Sequence, residues 1–217
     1  MSMEIDLRKV KTVCISLKTS IKRRENISRM MEKLSFENWS FFDGLQTWNP
    51  VDGCARSHSA VLNGHNFTEP MLVLEDDVEF TSDYSHLIEV PENTDALYLG
   101  YSWWPWATHR AKSSVLEAET SVEKIGNWFK IKRMTSAHAI LYLTSEYGRY
   151  VEKSILDYLV SPDGNGHCDV AMAKAQELFN VIAPPKPFFF QMCERNSFWT
   201  NKSLQEYSQN PNYWKSF

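Results

Sequence analysis

The strongest constraint on the fold is an apolar run that ends in three consecutive acids, within the segment EPMLVLEDDVEF. The four apolar residues from Met71 to Leu74 predict a short buried strand. Glu75, Asp76 and Asp77 follow it directly. Two carboxylates ~6 Å apart repel each other by roughly 3 kcal/mol at an effective dielectric of ~20. Three acids beside a buried strand therefore need either full solvation or a counter-charge.

Two interpretations of the acidic run follow from this electrostatic cost. A divalent cation would relieve the repulsion, and a site made of oxygen ligands suits Mg²⁺ or Mn²⁺, which are often completed by phosphate oxygens. Alternatively, the acids cap the strand at a wet surface and bind nothing. The residues of this segment alone leave both interpretations open.

Predicted strands and helices alternate along the chain, which favours an α/β sandwich with a largely parallel sheet and helices on both faces. Ligands of such sheets bind at the carboxyl ends of the strands, where the acids would lie. The length of 217 residues and a hydrophobic content of 43% are enough for one domain with a sizeable core. The predicted strands are 11–17, 38–44, 71–74, 95–101 and 136–144, and the predicted helices are 21–34, 52–64, 145–159 and 169–179.

Charge and cysteine spacing exclude several functional classes. A net charge of −4 gives no general attraction to nucleic acid or to anionic membranes. The N-terminal stretch lacks the apolar core of a signal peptide, and no run approaches the ~20 apolar residues of a membrane span, so we expect a soluble, cytoplasmic protein. The four cysteines are far apart and form no CxxC pair, which argues against a zinc ribbon or a redox motif. We expect reduced, mostly buried thiols.

Four segments resemble, in order and spacing, the family 25 glycosyltransferases, which include lipopolysaccharide galactosyltransferases. They are VCISLKTSIKRRENISRMMEKL, FFDGLQ, GCARSHSAVL and EPMLVLEDDVEF, and together they cover residues 11 to 80. The resemblance continues more weakly through SAHAILYLTSEYGRYV and HCDVAMAKA.

The resemblance implies the glycosyltransferase-A fold, a Rossmann-like sandwich that binds a nucleotide-sugar, with UDP the expected nucleotide, through a DxD-like motif and Mn²⁺ or Mg²⁺. It implies a nucleotide-sugar half at about 11–110, an acceptor half at about 111–200 and a tail at 201–217. Asp77 and Glu75 would be the metal ligands. The implied nucleotide-sugar-binding residues are Ser16, Leu17, Lys18, Arg24, Asp43 and Asp76.

On the acceptor side, the resemblance implies Asp169 as the catalytic base of an inverting transfer. The same residue could instead be the N-cap of the helix that it opens. Trp103 and Trp104 have indole faces that could stack on a sugar ring, although packing over the core is the alternative. His58 and His138 are further acceptor-binding candidates, with a structural role in the core as the alternative.

The leading hypothesis is therefore a metal-dependent glycosyltransferase whose acceptor is a lipopolysaccharide or another surface glycan. One alternative is glycosylation of a non-glycan hydroxyl, such as a hydroxymethylated base in viral (phage) DNA. Another is an inactive module that binds a nucleotide-sugar or a glycan. A nucleotidyltransferase is disfavoured because no glycine-rich phosphate loop follows the first strand. The oligomeric state and the transferred sugar are not determined by the sequence.

Overall fold

The computed structural model describes residues 2–101, 121–161 and 167–191. Its helices are α1 (Ile21–Lys33), α2 (Pro50–Asn63), α3 (Ser145–Val160) and α4 (Cys168–Ala175). The first six strands are β1 (Ser2–Asp6), β2 (Lys11–Ser16), β3 (Trp39–Asp43), β4 (Met71–Glu75), β5 (Val78–Phe80) and β6 (Leu87–Pro91). The other strands are β7 (Ala96–Gly100), β8 (Ser121–Ile125), β9 (Trp128–Lys132), β10 (Ala139–Tyr142), β11 (Val181–Ala183) and β12 (Phe189–Gln191).

A ten-stranded sheet forms the centre of the described structure. Its main path is β3-β2-β4-β10-β7-β11-β9-β8, and β12 joins β7 and β5 beside it. Strands β5, β9 and β10 run against the other seven, so most strands share one direction. The predicted α/β class with a mostly parallel sheet is confirmed at this level. The antiparallel β10 at the centre was not predicted, because an apolar strand buried on both faces has the same residue pattern in either direction.

Helices cover both faces of this sheet, as predicted. Helix α1 buries Ile27, Met30 and Met31 on one face, in a core that also includes residues of the two-stranded β1-β6 sheet. Helices α2, α3 and α4 pack on the opposite face. The alternation along β2 shows the division, since Cys14 points into the first core and Ile15 into the second.

Two predicted helix boundaries are wrong. Helix α2 begins at Pro50, and its N-cap is Asn49, whose Oδ1 accepts a hydrogen bond of 3.1 Å from the Val51 amide. Proline suits the first helical position because its missing N–H has no partner there in any case. Asp52, at which the predicted helix started, instead lies in the first turn and pairs with Arg56 at 2.8 Å.

Helix α4 is shorter than predicted, ending at Ala175 instead of Phe179, and its N-cap residue is His167. Asp169 therefore lies in the first turn and is not the cap. The segment after Ala175 turns because the Gln176 side chain bonds both backbone groups of Met134, at 2.8 and 2.9 Å, which fixes the chain against the neighbouring loop.

The sheet brings several chain segments to one edge. Strands β2, β3 and β4 are parallel neighbours, so Ser16, Asp43 and Glu75 end at the same side. Because β10 is antiparallel to β4, its start lies at that edge too, and the Glu75 amide donates to the His138 carbonyl at 3.0 Å. This edge holds the polar residues that the sequence singled out.

Short polar strands escaped prediction. Strand β8 lies between the predicted strands 95–101 and 136–144, where no strand was predicted, yet it pairs along its whole length with β9. A strand at the end of a sheet can keep polar residues in solvent, so it lacks the apolar pattern of a central strand. Within the described residues, no helix is long and apolar enough to cross a membrane. The division into halves and a tail remains a prediction, and the tail lies outside the described residues.

Candidate functional site

Two clefts lie at the polar edge of the sheet. The first has a volume of about 350 Å³ and is bounded by the end of β2, the loop after β3, the start of α2 and the acidic run. The second has a volume of about 290 Å³ and is bounded by α2, the segment before β10, the start of α4 and Gln191. Cys54 and Glu75 line both clefts, so the two share a wall.

Asp76 ties the acidic run to the neighbouring strand and helix. Its Oδ2 accepts a hydrogen bond of 2.7 Å from Ser16 Oγ, and its Oδ1 accepts one of 2.8 Å from Arg23 Nη1. Asp76 is buried, whereas the Arg23 side chain remains about half exposed at the cleft. Arg23 thus supplies part of the counter-charge that three adjacent acids require.

The negative charge of Asp77 is less well compensated than that of Asp76. Gln191 Nε2 donates to its Oδ2 at 3.1 Å, and Arg23 Nη1 lies 3.8 Å from the same oxygen. Its Oδ1 is buried and has no hydrogen-bond partner among the described residues. Burial, together with the nearby charge of Glu75, raises the pKa of Asp77 to about 6. A buried, unpartnered carboxylate oxygen at a cleft fits a hard divalent cation, which takes oxygen ligands.

Glu75 contacts a cluster of side chains that the sequence did not predict. Its Oε1 lies 3.1 Å from His58 Nε2 and 3.7 Å from Cys54 Sγ. Burial would raise the pKa of Glu75, but the contact with His58 lowers it overall. Burial would likewise lower the pKa of His58, but Cys54 and Glu75 raise it to about 10. The role of Glu75 as a ligand of Mn²⁺ or Mg²⁺ stays a prediction.

Cys168 completes this cluster. Its Sγ is 4.0 Å from Cys54 Sγ, and both cysteines are free thiols. The contact between the two sulfurs lowers the pKa of Cys54 and raises that of Cys168. The two residues are 114 positions apart in the chain, so no sequence spacing could have indicated their contact.

The loop after β3 forms the outer wall of the first cleft and is held by α2. Ser57 Oγ accepts a hydrogen bond of 2.8 Å from the Leu45 amide. Gly53 allows the close approach, because a Cβ atom there would lie 2.5 Å from the Leu45 carbonyl oxygen. Sequence analysis missed both residues, although the glycine in the first turns of a helix was a visible signal.

Replacing Gly53 with Ala is expected to push this loop outward and to destabilise the protein. The Cβ would meet a backbone atom, which cannot rotate away, so we expect a cost of about 1–3 kcal/mol. For a chain of this size that corresponds to a decrease in melting temperature of roughly 2–12 °C, measurable by differential scanning calorimetry. Gly64→Ala is the matched control, since its Cβ would be 3.4 Å from the nearest atom. Equal melting temperatures for both variants would contradict the assignment.

The predicted nucleotide-sugar residues divide into two groups. Ser16, Leu17 and Asp76 line the first cleft. Arg24 lies beside it and donates from Nη2 to the Ser16 carbonyl at 2.8 Å and to Asp43 Oδ1 at 2.5 Å. The Arg24 guanidinium lowers the pKa of Asp43, and Lys18 Nζ is 3.8 Å from the same carboxylate. Their contact with a nucleotide remains a prediction.

The second cleft contains Asp169 and His138. Asp169 is partly buried in the first turn of α4, and burial raises its pKa, with the charge of Glu75 contributing in the same direction. The His138 ring is buried, with Nδ1 3.0 Å from Ser136 Oγ, and burial lowers its pKa. His138 Nε2 has no partner among the described residues. A carboxylate with a raised pKa and a neutral imidazole are groups that can accept a proton from a hydroxyl.

The remaining acceptor candidates are placed differently. His58 is buried within the cysteine cluster and is not among the residues that line either cleft. Trp103 and Trp104 lie outside the described residues. Gln191, which no sequence signal marked, lines the second cleft and contacts Asp77, so it connects the two sides of the site.

The chain shows a structural likeness to a known protein, although its sequence matches no family model and no curated protein. The chain is similar to a solved structure described as a glycosyltransferase involved in the glycosylation of the major capsid of PBCV-1. The identity is 10%, the match covers 85% of this chain and 94% of that chain, and the TM-score is 0.43. Similarity at this level does not establish a shared activity.

Proposed function

We propose that this protein is a glycosyltransferase that moves a sugar from a nucleoside diphosphate, with UDP as the expected nucleotide, to an acceptor hydroxyl. One observation carries the proposal. Two clefts share the wall formed by Cys54 and Glu75, with an unpartnered carboxylate oxygen of Asp77 at the first and the Asp169 carboxylate at the second. A group transfer between two bound substrates needs adjoining clefts, because the reacting atoms of the donor and the acceptor must come into contact.

In the first cleft, the donor's diphosphate would lie near Asp77 and Arg23. The Arg23 guanidinium would donate a hydrogen bond to a phosphate oxygen while it keeps its hydrogen bond to Asp76. Asp77 would hold Mn²⁺ or Mg²⁺, and a bound divalent cation offsets the negative charge that develops on a leaving diphosphate. The unpartnered Oδ1 is the oxygen available for that purpose. The nucleoside would extend along Ser16 and Leu17.

In the second cleft, Asp169 would accept the proton of the acceptor hydroxyl. Its raised pKa improves proton acceptance, because a base works best when its pKa approaches the operating pH. A single base of this kind suits direct displacement with inversion at the anomeric carbon. His138 and Gln191 would orient the hydroxyl at the shared wall. The acceptor class proposed is a surface glycan, in keeping with the resemblance found in the sequence.

A screen of nucleotide-sugars against the purified protein tests this function. A donor present at 100 times its dissociation constant stabilises the folded state by about 2.7 kcal/mol. We therefore expect one nucleotide-sugar class to raise the melting temperature by roughly 5–10 °C when Mn²⁺ is present, and by much less in EDTA. The stabilising donor should also be hydrolysed slowly without acceptor, which an inactive binding module would not do. Absence of stabilisation by any donor, with or without a metal, would exclude the proposal.

A further inference from the structure

The buried cluster behind the shared wall is suited to a second, different metal. The sulfurs of Cys54 and Cys168 and one ring nitrogen of His58 all lie within 4.8 Å of one another. Glu75 adds a carboxylate oxygen, 3.7 Å from Cys54 Sγ and 3.1 Å from His58 Nε2. Cys54, Cys168 and His58 are thus three potential ligands of one ion, and zinc accepts this combination of sulfur and imidazole, with Glu75 beside them as a hydrogen-bond partner of His58.

The separation of the two sulfurs is close to one edge of a zinc tetrahedron. Zinc–sulfur bonds of about 2.3 Å at tetrahedral angles place two sulfurs ~3.8 Å apart. The observed Sγ–Sγ distance is 4.0 Å. This contact is long for an ordinary hydrogen bond but suits two ligands of one ion.

The fold sets the positions of these side chains in the metal-free protein. Cys54 and His58 are one turn apart on α2, so they lie on the same face of that helix. Cys168 is the first residue of α4, and Glu75 is the last residue of β4. The cluster therefore joins three elements whose positions are already set by packing on the sheet, so that binding costs little reorganisation.

Burial makes an empty cluster of this kind unfavourable. His58 is 1% exposed and Cys168 6% exposed, and His58 Nδ1 has no hydrogen-bond partner among the described residues. Buried polar groups are normally satisfied. A bound cation would be coordinated by both sulfurs and the imidazole, whereas the thiol contacts alone are weak hydrogen bonds.

We propose that Cys54, His58 and Cys168 form a structural site for Zn²⁺, in which Glu75 orients the His58 ring, separate from the cation expected at Asp77. Binding forms two Zn–S bonds and one Zn–N bond, and the protons on the two sulfurs and the second ring proton of His58 pass to solvent. Because Cys168 precedes Asp169, the ion would fix the position of that carboxylate relative to α2. The inference does not depend on the proposed glycosyl transfer.

The test uses the full chain, reduced, freed of metal with a chelator and then titrated with Zn²⁺ or Co²⁺. We expect one Zn²⁺ per chain, a higher melting temperature, and release of protons on binding. Co²⁺ should give the strong visible bands of a tetrahedral site and thiolate-to-cobalt charge-transfer absorption. The spectrum of the unmodified protein identifies thiolate ligands even if a cysteine variant fails to fold.

Variants then assign the ligands. Cys54→Ser and Cys168→Ser should each lose the charge-transfer bands partly and weaken zinc binding at least tenfold. Cys14→Ala, which removes a thiol on the other face of the sheet, should bind as the unmodified protein does, and so should Asp77→Asn. Undiminished binding in Cys168→Ser, no zinc bound by the reduced protein, or recovery of Cys54 and Cys168 as a disulfide under the same reducing conditions would each overturn the proposal.

Discussion

Replacing Asp77 with Asn is expected to abolish Mn²⁺-dependent donor binding and sugar transfer while making the folded protein more stable at neutral pH. Binding is lost because the amide is a poor ligand for a hard cation and cannot neutralise it. Stability rises because the variant removes a carboxylate that burial and Glu75 keep at a pKa of about 6. Isothermal titration with donor and Mn²⁺, alongside urea denaturation, measures both effects.

The sign and pH window of the stability effect follow from the raised pKa. The folded state binds the Asp77 proton more tightly than the unfolded state, whose value is near 3.8, so ionisation of Asp77 opposes folding. The penalty is absent below about pH 4, grows as the pH rises towards 6, and is complete above that. We expect Asp77→Asn to gain on the order of 2–3 kcal/mol at pH 8 and less than about 1 kcal/mol at pH 4.

Asp76→Asn is the matched control for this prediction, because the neighbouring carboxylate has the opposite environment. Asp76 accepts hydrogen bonds from both Ser16 and Arg23, so its neutralisation should lower the stability by about 1–3 kcal/mol. If Asp77→Asn were as destabilising as Asp76→Asn, or if it still bound donor in a Mn²⁺-dependent way, the unsatisfied oxygen of Asp77 would not be the cation ligand.

Replacing Asp169 with Asn is expected to lower kcat for transfer by about 10²–10⁴-fold, because the acceptor hydroxyl loses its general base. Donor affinity should be unchanged, since Asp169 lines the second cleft and not the first. In the unmodified enzyme, the acid limb of the kcat profile should lie above the usual range of an aspartate, because the pKa of Asp169 is raised. Steady-state kinetics between pH 4 and 8 measures the limb, which Asp169→Asn should remove.

Asp157→Asn is the control for this second variant. Asp157 is exposed on α3 and pairs only with Lys153 among the described residues, at 2.8 Å, so its removal should change stability and rate little. A kcat reduced less than tenfold in Asp169→Asn, with the acid limb retained, would assign the base to another group. His138 would then be the next candidate, since its ring lines the same cleft.

The acidic run shows which features of the site the local sequence could predict and which it could not. An apolar strand followed by three acids predicted β4 and placed the acids at a sheet edge, and the structure has both. The sequence could not divide the acids by role, because their side chains reach different partners. Asp76 meets Arg23 and Ser16, Asp77 meets Gln191, and Glu75 meets His58. All four of those partners lie in other elements, so only packing decides which oxygen remains unpaired.

The cluster around Cys54 was even less predictable from the sequence, because its members are far apart in the chain. The spacing of Cys54 and His58 on one helix was visible in the sequence, but one helix face with two candidate ligands is weak support for a metal site. The missing partners, Glu75 and Cys168, come from the end of a strand and the start of a distant helix. The absence of a CxxC pair argues against a zinc ribbon, yet it gives no information about ligands that the fold assembles from separate segments.

By itself, the sequence determined the elements whose signal is local: the apolar run of β4, the helical spacing of α1 and α3, and the alternation of strands and helices that gives an α/β fold. These follow from periodicity and turn chemistry within a few residues. The tertiary structure alone decided the antiparallel direction of β10, the wall shared by two clefts, and the meeting of Cys54 with Cys168. Such features depend on contacts between residues far apart in the chain, and no pattern within a single segment records them.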